Sequence, residues 1–242
     1  YQVAGGYEGF LGLGMDRLAH YARMFGYGEP TQIDLPGEAG GLIPDDRWKR
    51  LALGEMWLTG DTYNAAIGQG YVLATPLQMV SATAAVANRG TLYRPQLVYQ
   101  VTDSQGHVVK ALLPEPIRQL DISQENLELV RRGMLGVVSP SGTAPRGQVP
   151  GIAVAGKTGT AEYAALDEEG NLIKDSLGRL ATHAWYTAFA PYEDPEIALV
   201  VFLDSGVGAT HAAPVAAKIM RAYFGLTAPK PMPTAIPPTP AQ

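Results

Sequence analysis

Lys157, Thr158 and Gly159, inside the stretch GIAVAGKTGTAE (151–162), are the residues of this sequence best suited to chemistry. A lysine followed by a hydroxyl and a glycine can hold an anion in two ways. Gly151 to Thr158 spells G-x-x-x-x-G-K-T, the loop whose backbone N–H groups cradle nucleotide phosphates. Alternatively, the lysine projects from a β-strand as a fixed cation suited to capturing a carboxylate. Gly159 has no Cβ, so a ligand backbone can then approach the strand edge closely. Thr158 and Thr160 add hydroxyl donors, and one backbone N–H beyond the glycine can point at a developing oxyanion. A donor of that kind is typically worth on the order of 100- to 1000-fold in rate.

The flanking residues favour the strand. A phosphate loop needs an apolar strand before its first glycine and a helix starting at its lysine, so that the helix N-terminus faces the phosphates. Upstream of Gly151 stand Pro145, Gly147 and Pro150, which oppose a buried strand. The variable positions are Ile152, Ala153, Val154 and Ala155, residues that suit a strand, and Gly159 weakens a helix start by roughly 1 kcal/mol relative to alanine. Asp204, after the apolar run IALVVFL, stands where a magnesium-binding aspartate would be expected in the nucleotide reading, but strand-end aspartates are common. The spacing therefore predicts a strand over 152–161 with Lys157 partway along it.

The elements that must position this strand are legible at low resolution. Residues 1 to about 60 read as helical with glycine-rich interruptions: Met15, Leu18, Ala19, Ala22 and Phe25 recur at helical spacing, and Gly26 to Gly28 end the run. The segment 29–49 reads as turn-rich and extended. Thr75, Pro76 and Gln78 carry the N-cap, first-turn proline and capping-box signals of a helix that runs to about Asn88 and stops at Gly90. Residues 92–109 read as a β-ribbon turning at Asp103 to Gly106. An amphipathic helix over 121–139 places Leu127, Val130, Met134 and Val137 on one face. Two strands, 183–192 and 196–204, are separated by a turn at 193–196, and a last helix spans 213–225. The polar stretch 164–182 is a hairpin or a flap over a cleft, and Asp167, Glu168 and Glu169 read as its solvated acidic turn. Helices first, then three strands, give an α+β class: a helical lobe beside a mostly antiparallel sheet flanked by helices.

Composition narrows the function. Apolar residues make up 46% and charged residues 17%, the balance of a globular chain, and 242 residues suffice for a real core. The net charge of −5 gives no reason to expect nucleic acid as a partner. There is no cysteine, which removes disulfides and thiolate metal sites, and His20, His107, His183 and His211 show no metal-ligand spacing. No metal or other cofactor is expected. His183 and Trp185 open the strand next to the motif strand, where the imidazole could meet substrate, though a satisfied or exposed side chain is the simpler expectation. Gly68-Gln69-Gly70 reads as backbone packing beside the Thr75 cap, with a loop near a cleft as the alternative. The chain opens on Tyr1-Gln2-Val3-Ala4 rather than Met, which suggests a processed or truncated product.

Five stretches in one order, YQVA with GMDRLAHYARMFGYG, IDLPGEAGGLIP, GDTYNAAIGQGYVLATPLQM, GKTGTAE and HAWYTAFAPY, resemble the C-terminal part of a class B penicillin-binding protein. These are D,D-transpeptidases that cross-link peptidoglycan, and the elongation type is the most similar. The resemblance covers about 1–225. It implies that 1–226 is the C-terminal part of a transpeptidase domain; 227–242, outside the resemblance, reads from its prolines as an extended or disordered tail.

That family works with a Ser-x-x-Lys motif, a Ser-x-Asn or Ser-x-Asp motif, and Lys-Thr-Gly. Ser81, Ser104, Ser123, Ser139, Ser141, Ser176 and Ser205 all lack lysine three residues on, and Asn or Asp two residues on. The resemblance therefore implies a chain that begins beyond both missing motifs and cannot form an acyl-enzyme alone. Lys157, Thr158 and Thr160 would bind the carboxylate of a stem peptide or β-lactam. The Thr160 N–H would be half of the oxyanion hole, and Gly159 would keep the edge open. It further implies a position outside the cytoplasmic membrane, with an N-terminal anchor, an upstream part of the same protein that covers the open edge of the 196–204 strand, and association with a membrane glycan polymerase and elongation-complex proteins. A non-enzymatic β-lactam sensor or scaffold of the same fold, and a serine β-lactamase, are the alternatives.

Overall fold

The computed structural model describes residues 2–6, 8–174, 178 and 180–226; the tail assigned to 227–242 and part of the 164–182 segment lie outside the described residues. A helical lobe comes first: α1 (Gln2–Gly5), α2 (Gly14–Met24), α3 (Asp46–Leu53) and α4 (Thr59–Ala66). Met15, Ala19 and Ile43 form its buried centre. Helix α3 corrects the reading of 29–49 as wholly turn-rich. The Asp45 carboxylate accepts from the Trp48 N–H at 2.7 Å, an N-cap whose Pro44-Asp45-Asp46 sequence also looks like a turn. Lys49 is buried and donates to Asp61 at 2.7 Å, which ties α3 to the start of α4.

Helix α5 (Pro76–Ala87) begins as its capping residues predict. Thr75 Oγ1 accepts from the Gln78 N–H at 3.1 Å, and Gln78 Oε1 accepts from the Thr75 N–H at 2.9 Å. The same Gln78 side chain donates to the carbonyls of Glu29 and Gly40 at 2.8 and 2.7 Å, so the cap also pins the 29–40 loop to α5.

Beyond it, β1 (Thr91–Tyr93), β2 (Gln100–Thr102), β3 (Val108–Ala111) and β4 (Pro116–Gln119) form two antiparallel ribbons. The expected turn at Asp103 to Gly106 joins β2 to β3, whereas β1 pairs with β4, with Leu92 opposite Arg118. Helix α6 (Gln124–Val137) starts at Ser123, whose Oγ accepts from the Asn126 N–H at 3.2 Å. Its buried face differs from the expected one. Leu127 is buried, but Val130 is 51% exposed, and Arg131 takes the inward place.

The main sheet is antiparallel, in the order β5 (Ala155–Tyr163), β6 (Ala181–Ala190), β7 (Ile197–Leu203). Side-chain alternation divides its faces. Ala184, Tyr186 and Ala188 pack with Val201 against Ala213, Ala216 and Met220 of α7 (Ala213–Tyr223). Ala155 and Phe189 pack the other way, against Val86 and Ala87 of α5. A π-helical turn, Gly208–Ala212, leads from β7 into α7. Among the described residues, β7 has a strand neighbour on one side only. The class is α+β, with a helical lobe beside an antiparallel sheet, as the sequence predicts.

Candidate functional site

Lys157 is the third residue of β5 and pairs with Thr187 of β6, inside a strand that continues to Tyr163. No helix starts at it, so the phosphate-loop geometry is absent and the strand reading holds. The strand begins three residues later than expected because Val149 and Ile152 bridge to each other across a tight turn. Lys157 is exposed, and its ammonium donates to the Thr158 carbonyl at 2.6 Å. Beneath it, the Thr187 hydroxyl lies 2.5 Å from that of Thr83, a buried contact that bolts α5 to β6. The base of the strand is therefore held from the helical side by a paired hydroxyl, not by packing alone.

Downstream, Gly159 and Thr160 enter the wall of a cleft of about 840 Å³ between the sheet and the helical lobe. Lys157 and Thr158 lie outside that lining. The lobe side is apolar, with Met15, Leu18, Ile43, Val72 and Met79. The sheet side carries Tyr163, His183, Trp185 and Phe202. Tyr163 and His183 stack with ring centroids 3.9 Å apart, and His183 Nδ1 lies 2.7 Å from the Asp204 carbonyl. Asp204, weighed above as a magnesium ligand, instead stands beside His183, with its carboxylate 3.6 Å from Nδ1. Gly68, Gln69 and Gly70 also border the cleft, so this loop belongs to the wall as well as to the backbone leading to Thr75. Tyr27 closes the base. Burial pushes its hydroxyl pKa up to about 12, so it stays neutral at pH 7.

Two glycines shape the motif strand. At Gly159 a Cβ would come within 3.0 Å of the Trp185 Cβ, so the missing side chain gives Trp185 its place on the wall. Gly208, which sequence reasoning passed over, presses on the same strand from the opposite face. Its N–H donates to Thr160 Oγ1 at 3.3 Å, and a Cβ there would meet the Trp185 and Gly159 carbonyl oxygens at 2.4 and 2.5 Å. The signal was the glycine spacing of Gly206 and Gly208 after an apolar strand; their partner lies some 48 residues away along the chain. Gly208→Ala should lower unfolding stability by about 1–3 kcal/mol through overpacking against rigid backbone. Urea denaturation reads this directly, and a loss under about 0.5 kcal/mol would show that the turn moves aside freely.

An exposed ammonium, two threonine hydroxyls and a glycine follow one another on a strand whose other edge has no strand neighbour among the described residues. Such an edge can take an extended peptide in β-fashion, with the cation at one end for a terminal carboxylate.

Comparisons with known proteins agree with this geometry. The model of the penicillin binding protein transpeptidase domain matches residues 6–221. The peptidoglycan D,D-transpeptidase MrdA of Haemophilus influenzae is 35% identical over 237 residues, which cover 95% of this chain and 35% of that protein. The crystal structure of Pseudomonas aeruginosa PBP2 in complex with WCK 5153 is similar at a TM-score of 0.69 and 34% identity, covering 87% of this chain and 43% of that one. A complex between PBP2 and MreC from Helicobacter pylori gives a TM-score of 0.70 at 30% identity, covering 88% and 36%. The chain thus spans about a third of the length of the curated relatives it matches.

Proposed function

Because the chain belongs to the penicillin-binding protein transpeptidase domain family, we propose that residues 1–226 are the C-terminal part of a peptidoglycan D,D-transpeptidase of the cell-elongation type. The observation that carries this reading is the Lys157-Thr158-Gly159-Thr160 run on an edge of β5 with no strand neighbour among the described residues, its Gly159-Thr160 end entering a cleft that the helical lobe closes from the other side. A stem peptide ending in D-Ala–D-Ala lies along that edge. Its terminal carboxylate meets the Lys157 ammonium and the hydroxyls of Thr158 and Thr160, and the Thr160 N–H faces the oxygen of the scissile carbonyl. A serine Oγ adds to that carbonyl carbon, the C–N bond breaks, and D-alanine leaves with a proton on its nitrogen. The amine of a neighbouring stem peptide then attacks the ester, its nitrogen loses a proton, and the serine oxygen regains one. A β-lactam mimics the dipeptide and stops at the ester.

No serine of 1–242 stands in a Ser-x-x-Lys or Ser-x-Asn/Asp context, so the nucleophile belongs to an upstream segment of the same protein. Two features support a seat for it. The cleft is lined with apolar and aromatic side chains, and among the described residues β7 has an outer edge with no strand neighbour. Among the described residues no helix is long and apolar enough to cross a membrane. An N-terminal anchor holding the domain outside the cytoplasmic membrane, close to its peptidoglycan substrate, is part of the proposal. So are partners among elongation-complex proteins, supported by the Helicobacter pylori complex of PBP2 with MreC, and a membrane glycan polymerase.

Intact-mass analysis of the full-length protein after penicillin treatment is the test. A stable adduct on a serine outside 1–242 is expected. Rapid turnover of the adduct would point to a serine β-lactamase, and no reaction to a non-enzymatic scaffold. The chain 1–242 alone should form no adduct and should self-associate through its uncovered β7 edge and cleft. An adduct on it, or stable monomeric behaviour, would overturn the placement of the nucleophile or of the covering strand.

A further inference from the structure

Past Thr160, the far mouth of the cleft opens into a polar groove of about 440 Å³, which shares Gln69, Glu162 and Tyr163 with the cleft wall and adds Asn64 and Leu180. Glu162, Asn64 and Gln69 line it, between walls that include Ile67, Tyr163 and Leu180. Glu162 is exposed, and among the described residues no cation or hydrogen-bond donor reaches its carboxylate. The side-chain amides of Asn64 and Gln69 are equally unengaged within the described chain. Among the described residues no lysine or arginine stands in the lining. One unpaired carboxylate between two neutral amides is poorly suited to Ca²⁺ or Mg²⁺, which need several oxygen ligands, and it repels anions. It suits a primary ammonium carried on a peptide, with the amides left for neighbouring peptide groups.

Position on the strand adds to this. Glu162 is two residues beyond Thr160, on the same strand face and about 7 Å along it. A peptide whose scissile carbonyl sits at Thr160 therefore brings its flanking groups within reach of that carboxylate. A side-chain amine of ordinary basicity is protonated near pH 7, so it enters the groove as a cation.

We propose that Glu162, with Asn64 and Gln69, forms a subsite for the side-chain ammonium of a stem peptide, which makes Glu162 a specificity-determining residue. This rests on the transpeptidase reading. The ammonium can belong to the peptide that donates the acyl group or to the one that accepts it.

Full-length protein and its Glu162→Gln variant separate the cases. Acylation by benzylpenicillin, which carries no amine, is the reference, and cross-linking of a D-Ala–D-Ala donor to an amine-bearing acceptor peptide is the readout. In Glu162→Gln the ratio of cross-linking to acylation should fall about tenfold, as loss of one charge-assisted hydrogen bond implies, and mostly through KM. Glu162→Asp should recover part of it. If the deficit persists when the donor's amine is acetylated, the groove holds the acceptor's ammonium; if acetylation abolishes it, the donor's. An unchanged ratio, or an equal loss of both reactions, would overturn the subsite. Wild-type protein that is not acylated at all would sink the transpeptidase reading first, and this inference with it.

Discussion

Replacing Lys157 with alanine in the full-length protein should slow its acylation by penicillin about 100- to 1000-fold while leaving the fold intact. Within the described structure the Lys157 ammonium has one hydrogen bond, to the carbonyl of the next residue, and the side chain is exposed. Its removal leaves no buried group unpaired, so unfolding should shift by less than about 0.5 kcal/mol. The kinetic cost has two parts. A charge-assisted contact with the substrate carboxylate is worth roughly 1.5–3 kcal/mol. The fixed cation also acts on charge that develops during attack, which raises the loss toward the upper figure. Lys157→Arg should fall between wild type and alanine, because a planar fork on a longer stem does not replace a compact ammonium at a strand edge. Stopped-flow labelling with a fluorescent penicillin gives both rates. Alanine within threefold of wild type would remove Lys157 from the site.

Arg131→Ala should have the opposite signature, a loss of about 3–5 kcal/mol in unfolding stability, as expected when a large, fully buried side chain is truncated and its acceptors lose their donor. Arg131 is fully buried in α6. Its guanidinium donates to the carbonyls of Val86, Ala87 and Tyr192 and to Glu128, and lies over the rings of Phe189 and Tyr192 at 4.9 and 5.0 Å. Tyr192 in turn donates to Glu128 at 2.5 Å, and that bond, with the nearby guanidinium, holds the Glu128 carboxyl below its usual range. Alanine would take the donor from the Ala87 and Tyr192 carbonyls, while Val86 keeps the Arg89 N–H at 3.3 Å, and would open a cavity between α5, α6 and β6. Urea unfolding of the full-length protein measures the loss, and a change under about 1 kcal/mol would show that water or a neighbour takes over these groups.

How much of this was legible depends on how local the cause is. The start of α5 was readable because Thr75, Pro76 and Gln78 act within a single turn. The strand identity of 155–163 followed from Gly159, whose backbone freedom weakens a helix start, and from Pro145, Gly147 and Pro150, which oppose the strand a phosphate loop needs before Gly151. Val130 was placed inward by periodicity, but the Ala87 and Tyr192 carbonyls that call for a long donor belong to other elements, and Arg131 answers them. Pairing of β1 with β4 is fixed across some 25 residues, beyond what alternation in either strand can reveal. Lys157 to Thr160 could be named from the motif. The cleft that Gly159 and Thr160 enter could not, since Met15, Ile43, Val72 and Met79 meet there only in three dimensions.

Helix α5 touches both halves of the molecule, through Gln78 to the 29–40 loop and through Thr83 to Thr187 in the sheet. Any rocking of the first lobe must turn about that helix. The Lys157 end of β5 lies against the pivot and stays fixed, whereas Tyr163, six residues or about 20 Å further on, lies out along the lever arm. Aperture at the far mouth can therefore vary without moving the Lys157 ammonium. A ligand held at the Lys157 end would then stay still while the far mouth admits, turns and releases a second one.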